Sequence, residues 1–359
     1  MIKALNSADI GLVRRGYSAT GGAEAYLLRL AYDLHAGGHM VTLYTTRDWP
    51  ADRWSFGDLV YLDATQPLAF ARAFQRARKP GQIVLSLDRV PGCDVFRAGD
   101  GIHAAWLKRR ARFEPAWKSG LRFLNLKHAA LLALERQVFK TVRMVIANSR
   151  MVAREIIHWH DFPEARIRIV PNGIGAAISR ISRQEARRQL EISEQAFCVL
   201  FVGTGWERKG LRFAIGAVEA LRGDAVLLVA GRGNATRYLS SRTKFVGATK
   251  DLSALYSAAD VFTLPTIYDP FSNACLEAIA AGLPVVTTTA NGFSEILTPS
   301  VHGHIVEPGN VRALAEALEV WKHRDAAATS ADCQLLAKAY SIQRNVQATL
   351  KVLNEIAPV

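Results

Sequence analysis

Short runs of apolar and β-branched residues alternate along this chain with longer stretches whose apolar positions recur every three or four residues. In the first half the short runs are "MVTLYTT" (40–46), "LVYLDAT" (59–65), "QIVLSLD" (82–88) and "RMVIANS" (143–149). In the second half they are "FCVLFVG" (197–203), "AVLLVAG" (225–231), "DVFTLPT" (260–266), "PVVTTT" (284–289) and "HIVEP" (304–308). Their length and composition suit buried strands. Between them, "AEAYLLRLAYDLHAGG" places Leu27, Leu30, Ala31 and Leu34 on one helical face and stops at Gly37-Gly38. Strands alternating with helices predict parallel sheets covered by helices on both faces.

The alternation breaks after "VPNGI" (170–174), a turn-rich segment behind the strand "RIRIV", and the chain is charged and helical from there to about residue 195. With 359 residues, two domains fit comfortably. The pattern predicts an α/β protein of two Rossmann-like parallel-sheet domains facing a central cleft. They span 1–172 and 173–340, and a last helix, 341–359, packs back on the first. In open α/β sheets ligands sit at the carboxyl ends of strands, so the loops after the strands should carry the chemistry.

Charge changes the picture locally. Residues 101–150 hold 11 Lys and Arg against 2 Asp and Glu, and so supply most of the net charge of +13, whereas residues 251–300 hold 5 acids and no Lys or Arg. A basic block points to a polyanion, an anionic membrane or a charged substrate. Within 106–127, Lys108, Arg109, Arg110, Arg112, Lys118, Arg122 and Lys127 are interleaved with Trp106, Phe113, Trp117 and Phe123. Rings and cations together suit the interface of an anionic bilayer; the alternative is a solvated basic face over core aromatics. No apolar run approaches the roughly 18 residues of a membrane span, and the first 20 residues do not read as a signal peptide. Cys93, Cys198, Cys275 and Cys333 are scattered without a CxxC, so neither a metal site nor a disulfide frame is expected and a reducing cytoplasm fits.

Four stretches carry candidate chemistry. In "TGGAEAYLLRL", Gly21 and Gly22 would let a phosphate approach the backbone at a helix start, or would serve an ordinary tight turn. In "FVGTGWERKGL", Arg208 and Lys209 follow a strand end, where two cations can neutralise a diphosphate; alone, the pair also reads as a solvated basic loop. In "DPFSNACLEAIAAGLPVV" (269–286), Pro270 predicts a helix start, with Asp269 before it and Glu277 in its second turn. Such a start attracts anions, and carboxylates beside it are suited to accepting hydrogen bonds from hydroxyls. Phosphate plus hydroxyls suggests a sugar nucleotide, although Asp269 also suits a plain helix cap. In "MVIANSRMVAREI", Ser149 reads as a helix cap.

Taken in order, the Gly-Gly loop, "VPNGI", "RKG" and the acid-x7-Glu before "GLPVV" resemble the family 4 retaining glycosyltransferases of the GT-B fold. Through "RVPGCDVFRAGDGIHAAW" (89–106) the likeness is to the lipopolysaccharide core α-1,3-glucosyltransferases. The resemblance implies an acceptor-binding first domain and a second domain that binds the nucleotide sugar. It implies that Gly21 and Gly22 lie beside the donor diphosphate, that Arg208 and Lys209 bind the pyrophosphate, and that Glu277 accepts from ribose hydroxyls. Asp269, where the family usually has Glu, would meet hydroxyls of the donor sugar, and Phe271 would line the same site. Backbone N–H groups of Ser272 and Asn273 would complete the phosphate cradle. Thr204 stands where many members have Arg, which leaves more of the phosphate to Arg208 and Lys209.

The implied reaction is hexosyl transfer with retention from a UDP-sugar, with UDP-glucose the default, to a saccharide or lipid-linked acceptor, with lipopolysaccharide core the expected one. It needs neither a metal nor a cofactor. Asp100 would be the polar catalytic group of the first domain, or else would cap the basic helix behind it; His103 reads as an acceptor contact or a surface residue. The enzyme would be cytoplasmic and bound peripherally to the inner face of the membrane through 106–127. Another lipid or an exopolysaccharide could be the acceptor. Three readings compete. An NAD-dependent oxidoreductase should show GxGxxG and a following acid, which are not found. A nucleic-acid-binding protein would explain the charge but has no recognised motif. A non-catalytic protein binding membranes or polyanions would neither bind UDP nor hydrolyse or transfer from a UDP-sugar.

Overall fold

A computed structural model describes residues 8–18, 22–115, 125–175, 181–249 and 251–356. The chain divides into two compact units, one of residues 1–171 with 342–359 and one of residues 172–341.

The first unit is built on seven parallel strands, β1 (Asp9–Val13), β2 (Met40–Thr45), β3 (Gly57–Tyr61), β4 (Ile83–Ser86), β5 (Val95–Arg97), β6 (Met144–Ala147) and β7 (Ile167–Ile169), in the order β3-β2-β1-β4-β5-β6-β7. Helices α1 (Gly22–Ala36), α2 (Pro67–Ala77), α3 (His103–Ala111), α4 (Leu126–Thr141) and α5 (Arg150–His160) connect them. Leu27, Leu30, Ala31 and Leu34 of α1 are fully buried against Ile10, Leu12, Leu43, Leu85 and Ile146 of the sheet. Each such Leu or Ile contributes about 1.5–3 kcal/mol by leaving water.

The second unit has six parallel strands, β8 (Phe197–Val202), β9 (Ala225–Ala230), β10 (Thr243–Gly247), β11 (Val261–Leu264), β12 (Val285–Thr288) and β13 (Gly303–Val306), in the order β10-β9-β8-β11-β12-β13. Its helices are α6 (Arg183–Gln189), the single turn α7 (Trp206–Lys209), α8 (Leu211–Glu219), α9 (Ser253–Ala258), α10 (Asn273–Ala280), α11 (Val311–Lys322) and α12 (Ala326–Lys338). The final helix, α13 (Ile342–Ile356), belongs to the first unit. Its Val346 and Leu353 join that core, Thr349 accepts a hydrogen bond from the Tyr26 hydroxyl (3.0 Å), and Glu355 pairs with Arg168 on β7.

In each sheet the strand order reverses once, between β1 and β4 and between β8 and β11. At such a point the flanking loops leave in opposite directions and open a crevice beyond the strand ends.

Candidate active site

In the second unit, β8 leaves the sheet through Gly203 and Gly205 and enters α7. The Trp206 indole N–H closes this turn on the Gly203 carbonyl (3.0 Å). Gly210 follows at φ +79°, and a Cβ there would run into the Pro265 carbonyl. Only glycine lets the two loops come so close. The contact is sealed at the Arg208 carbonyl, which accepts from the Ile267 N–H (2.9 Å) and the Thr266 hydroxyl (2.8 Å).

That contact carries Arg208 and Lys209 to Asp269. The Lys209 ammonium forms an ion pair with the Asp269 carboxylate. The Arg208 guanidinium lies 3.8 Å from the same carboxylate and donates to the Tyr268 carbonyl (2.9 Å). The Asp269 side chain is 7% exposed, against 35% for Arg208, so the carboxylate is enclosed while the guanidinium keeps a face to solvent. Asp269 is pinned by its backbone to Asn291, its N–H reaching the Ala290 carbonyl and its carbonyl the Gly292 N–H (both 2.9 Å).

Here the structure corrects several expectations. The helix starts near Pro270 as expected, but the cap is Ser272: α10 begins at Asn273, and Ser272 accepts from the Cys275 N–H (3.3 Å). Asp269 is therefore a partner of the cations and not a cap. The Ser272 N–H donates to the buried Asn291 amide oxygen (3.3 Å), so Ser272 does not offer it to a ligand. The first-turn N–H groups of Asn273 and Ala274 have no partner further back in the helix and are the ones left to a ligand. Phe271, beside Asp269, is buried with its ring edge-on to Phe293 (centroids 5.6 Å apart).

Glu277 does lie in the second turn of α10. One of its oxygens accepts from the buried Tyr256 hydroxyl (3.1 Å). Burial pushes the Glu277 carboxyl up, against the Tyr256 hydrogen bond and the charge of Lys209. Lys209 thus acts on both carboxylates. The site holds two cations, two acids and a helix start, a constellation that can take a diphosphate and hydroxyls together.

Three residues that support this site were not singled out from the sequence. Asn172 of "VPNGI" donates from its side-chain amide to the Asn273 side chain (2.7 Å) and the Phe271 carbonyl (3.3 Å), so that motif braces the start of α10. Asn291 uses both ends of its amide, accepting from Ser272 and Phe293 and donating to Thr287 and Cys275. Tyr256 orients Glu277. The Asn-Gly at 291–292 and "VPNGI" were legible as turns, but their long-range partners were not.

In the first unit Gly21 lies outside the described residues, and Gly22 opens α1, exposed. Asp100 sits in an exposed turn after β5. It does not cap α3: the buried Glu135 on α4 accepts the His103 N–H (2.8 Å) and the Ala104 N–H (3.3 Å) there. The His103 ring lies 3.1 Å from His128, and burial with the nearby Arg89 lowers its pKa to about 4. His103 is therefore half-buried and paired, not a plain surface residue.

Of the basic stretch, residues 116–124, with Trp117, Lys118, Arg122 and Phe123, lie outside the described residues. Arg109 pairs with Glu155 (2.8 Å) and Arg110 with Glu114. Lys108 lies over the Trp159 ring at 5.6 Å, and Lys108 and Arg112 are exposed. Among the described residues no helix is long and apolar enough to cross a membrane.

Two family profiles match the chain, "Glycosyltransferase Family 4" over residues 20–177 and "Glycosyl transferases group 1" over residues 196–321. The chain is 27% identical over 332 residues to the lipopolysaccharide glucosyltransferase WaaG of Escherichia coli, covering 84% of this chain and 86% of that one. Its fold is similar to the crystal structure of WaaG, a glycosyltransferase involved in lipopolysaccharide biosynthesis (TM-score 0.78, 22% identity, 96% and 99% of the two chains). It is also similar in fold to Anabaena HepE in complex with UDP and glucose (TM-score 0.76, 16% identity, 97% and 100%).

Proposed function

We propose that this chain, which belongs to the group 1, family 4 glycosyltransferases of the GT-B fold, moves a hexose, by default glucose, from a UDP-sugar to a saccharide or lipid-linked acceptor of the lipopolysaccharide core. The observation that carries this reading is the convergence of Arg208, Lys209, Asp269 and Glu277 on the start of α10, at the strand-order reversal of the second unit.

In this reading the diphosphate of the donor meets Lys209, Arg208 and the N–H groups of Asn273 and Ala274. Breaking the bond from the anomeric carbon to the diphosphate oxygen leaves negative charge on that phosphate. Cations and helix N–H groups already fixed in place stabilise the charge as it develops, without reorganising. Glu277, held by Tyr256, accepts from ribose hydroxyls, and Asp269 from hydroxyls of the transferred sugar. The acceptor hydroxyl attacks from the face the phosphate leaves, the phosphate takes its proton, and configuration is retained without a metal. The first unit, with Asp100 at its strand ends, takes the acceptor. The names of WaaG, a lipopolysaccharide glucosyltransferase, and of HepE, solved with UDP and glucose, support the choice of donor and acceptor. A lipid-linked acceptor would put the enzyme at the cytoplasmic face of a membrane, reached through the basic stretch 106–127, of which Lys108, Arg112 and Lys127 are exposed.

Thermal unfolding with UDP, NAD or a DNA oligomer tests the donor half. A ligand that binds only the native state raises the melting temperature. UDP alone should do so, and Lys209→Met should abolish most of the gain. Stabilisation by NAD or DNA instead would overturn the proposal.

A further inference from the structure

The reversal point of the first unit holds a cluster of charged side chains centred on Arg14. The ends of β1, β2 and β4 run together there: the Arg14 N–H donates to the Tyr44 carbonyl (3.1 Å), and the Leu87 N–H to the Val13 carbonyl (3.0 Å). Arg14 extends from the end of β1, 21% exposed. Its Nε and one terminal nitrogen both donate to the same oxygen of the buried Glu24, in the first turn of α1 (3.1 and 3.0 Å). Its other terminal nitrogen lies 3.8 Å from Asp88, at the end of β4. Asp88 also accepts the Arg15 N–H (2.7 Å) and lies 3.8 Å from the Arg15 side chain. Asp100 is close enough to act electrostatically on both Arg14 and Asp88. On the β2 side Thr46 accepts the Gly16 N–H (3.1 Å) and donates to Asp48 (3.3 Å).

The sign of this cluster differs from that of the α10 site. Arg14 and Arg15 face Glu24, Asp88 and Asp100, with Asp48 beyond Thr46, so carboxylates outnumber cations. Hydroxyl donors find acceptor oxygens on this face. Burial pushes the Asp88 carboxyl up and Asp100 adds to the rise, while Arg14 and the Arg15 N–H oppose it. Burial also works against the Arg14 charge, but Asp88, Glu24 and Asp100 outweigh it and raise its pKa. Each group therefore depends on the guanidinium between them. A planar fork can hold Glu24 with one edge and Asp88 with the other, which an ammonium cannot.

We propose that Arg14 is a positioning residue for glycosyl transfer: it ties the first turn of α1, immediately after Gly22, to Asp88 at the end of β4, and so sets the acidic face that receives the hydroxyls of the acceptor. This rests on the reading that the first unit binds the acceptor. Arg14 touches neither reacting atom nor donor in this account; it acts through Asp88 and Asp100.

The test compares Arg14→Met and Arg14→Lys with the wild type in the full chain. Three readouts are needed: the pH profile of kcat/KM for a core saccharide acceptor, the Kd for UDP, and the carboxyl titration of Asp88 followed by carbon-13 NMR. Removing a cation from beside a carboxylate raises its pKa, so Arg14→Met should move the Asp88 midpoint and the acid limb of kcat/KM upward by about one pH unit. It should also raise the acceptor KM about tenfold and leave the UDP Kd within about twofold. Arg14→Lys should restore the acid limb but only part of the acceptor KM, because it returns the charge and not the fork. An acid limb and an Asp88 midpoint that stay put in Arg14→Met would overturn the assignment, as would a UDP Kd that weakens in step with the acceptor KM. A wild type that transfers sugar to no acceptor would instead defeat the functional reading, and the Asp88 titration, which needs no turnover, would still decide the role of Arg14.

Discussion

Replacing Asp269 by Asn should tighten UDP binding while slowing transfer. In the free chain the Asp269 carboxylate neutralises the ammonium proposed to meet the diphosphate. Two anionic oxygens on opposite sides of one ammonium stand about 5 Å apart, and unit charges at that distance repel by about 0.8 kcal/mol at a dielectric constant near 80 and about 3 kcal/mol near 20. The site lies between these limits, since Asp269 is 7% exposed but Arg208 35%. Removing the charge should therefore favour UDP by about 1–2 kcal/mol, or roughly 5- to 30-fold in Kd. Stability should move the other way. Losing one partner of a buried pair leaves Lys209 uncompensated, at a cost of about 3–5 kcal/mol at full burial and less here. The ligand-free melting temperature should fall and the gain on adding UDP should grow. Calorimetric titration with UDP and melting curves with and without it measure both. Transfer should fall because the acceptor for the sugar hydroxyls becomes a weaker one. Asp269→Asn that binds UDP no better than wild type, with an unchanged ligand-free melting temperature, would refute the electrostatic argument.

Other expectations are more direct. Glu277→Ala should cost about tenfold or more in UDP affinity and nearly all transfer with little change in melting temperature; because burial raises its carboxyl, UDP affinity in the wild type should begin to fall with acid above the ordinary carboxylate range. With its pKa lowered to about 4, His103 stays neutral in the folded chain where the unfolded chain is already protonated, so stability should decline as pH drops from about 6.5 towards 4. His103→Gln should flatten that slope in pH-dependent melting, and an unchanged slope would remove His103 from the explanation. On vesicles with anionic lipid at low salt, changing Lys108 and Arg112 together to Ser should weaken flotation more than changing Arg109 and Arg110, whose charges are engaged by Glu155 and Glu114. The reverse order would move the contact elsewhere.

The nine apolar runs read from the sequence, together with "RIRIV", all fall on strands, because each concentrates apolar, β-branched residues within a few positions. Three strands were hidden. In β1, Asp9 and Gly11 break the apolar run; β5 has only three residues and ends in Arg97; β10 is "TKFVG", half-buried with a lysine inside. The placement of "RKG" just after a strand and of Glu277 in the second turn of a helix was legible because both are local patterns. The ion pair between Lys209 and Asp269 was not, since it depends on Gly210 meeting Pro265 across 55 positions of sequence. The hydrogen bond from Ser272 to Asn291 and the capping of α3 by Glu135 are of the same kind: long-range partners took backbone groups that local rules left free.

Hexosyl transfer from a UDP-sugar at the α10 site would leave a new glycosidic bond. It is tested most directly by incubating the chain with UDP-glucose and a lipopolysaccharide core acceptor lacking its outer hexoses, and reading the new anomeric signal by proton NMR as UDP is released. One hexose should be added per UDP formed, α-configured as in the donor, in wild type and not in Lys209→Met. UDP formation without a new glycosidic bond, or a β-configured product, would contradict it.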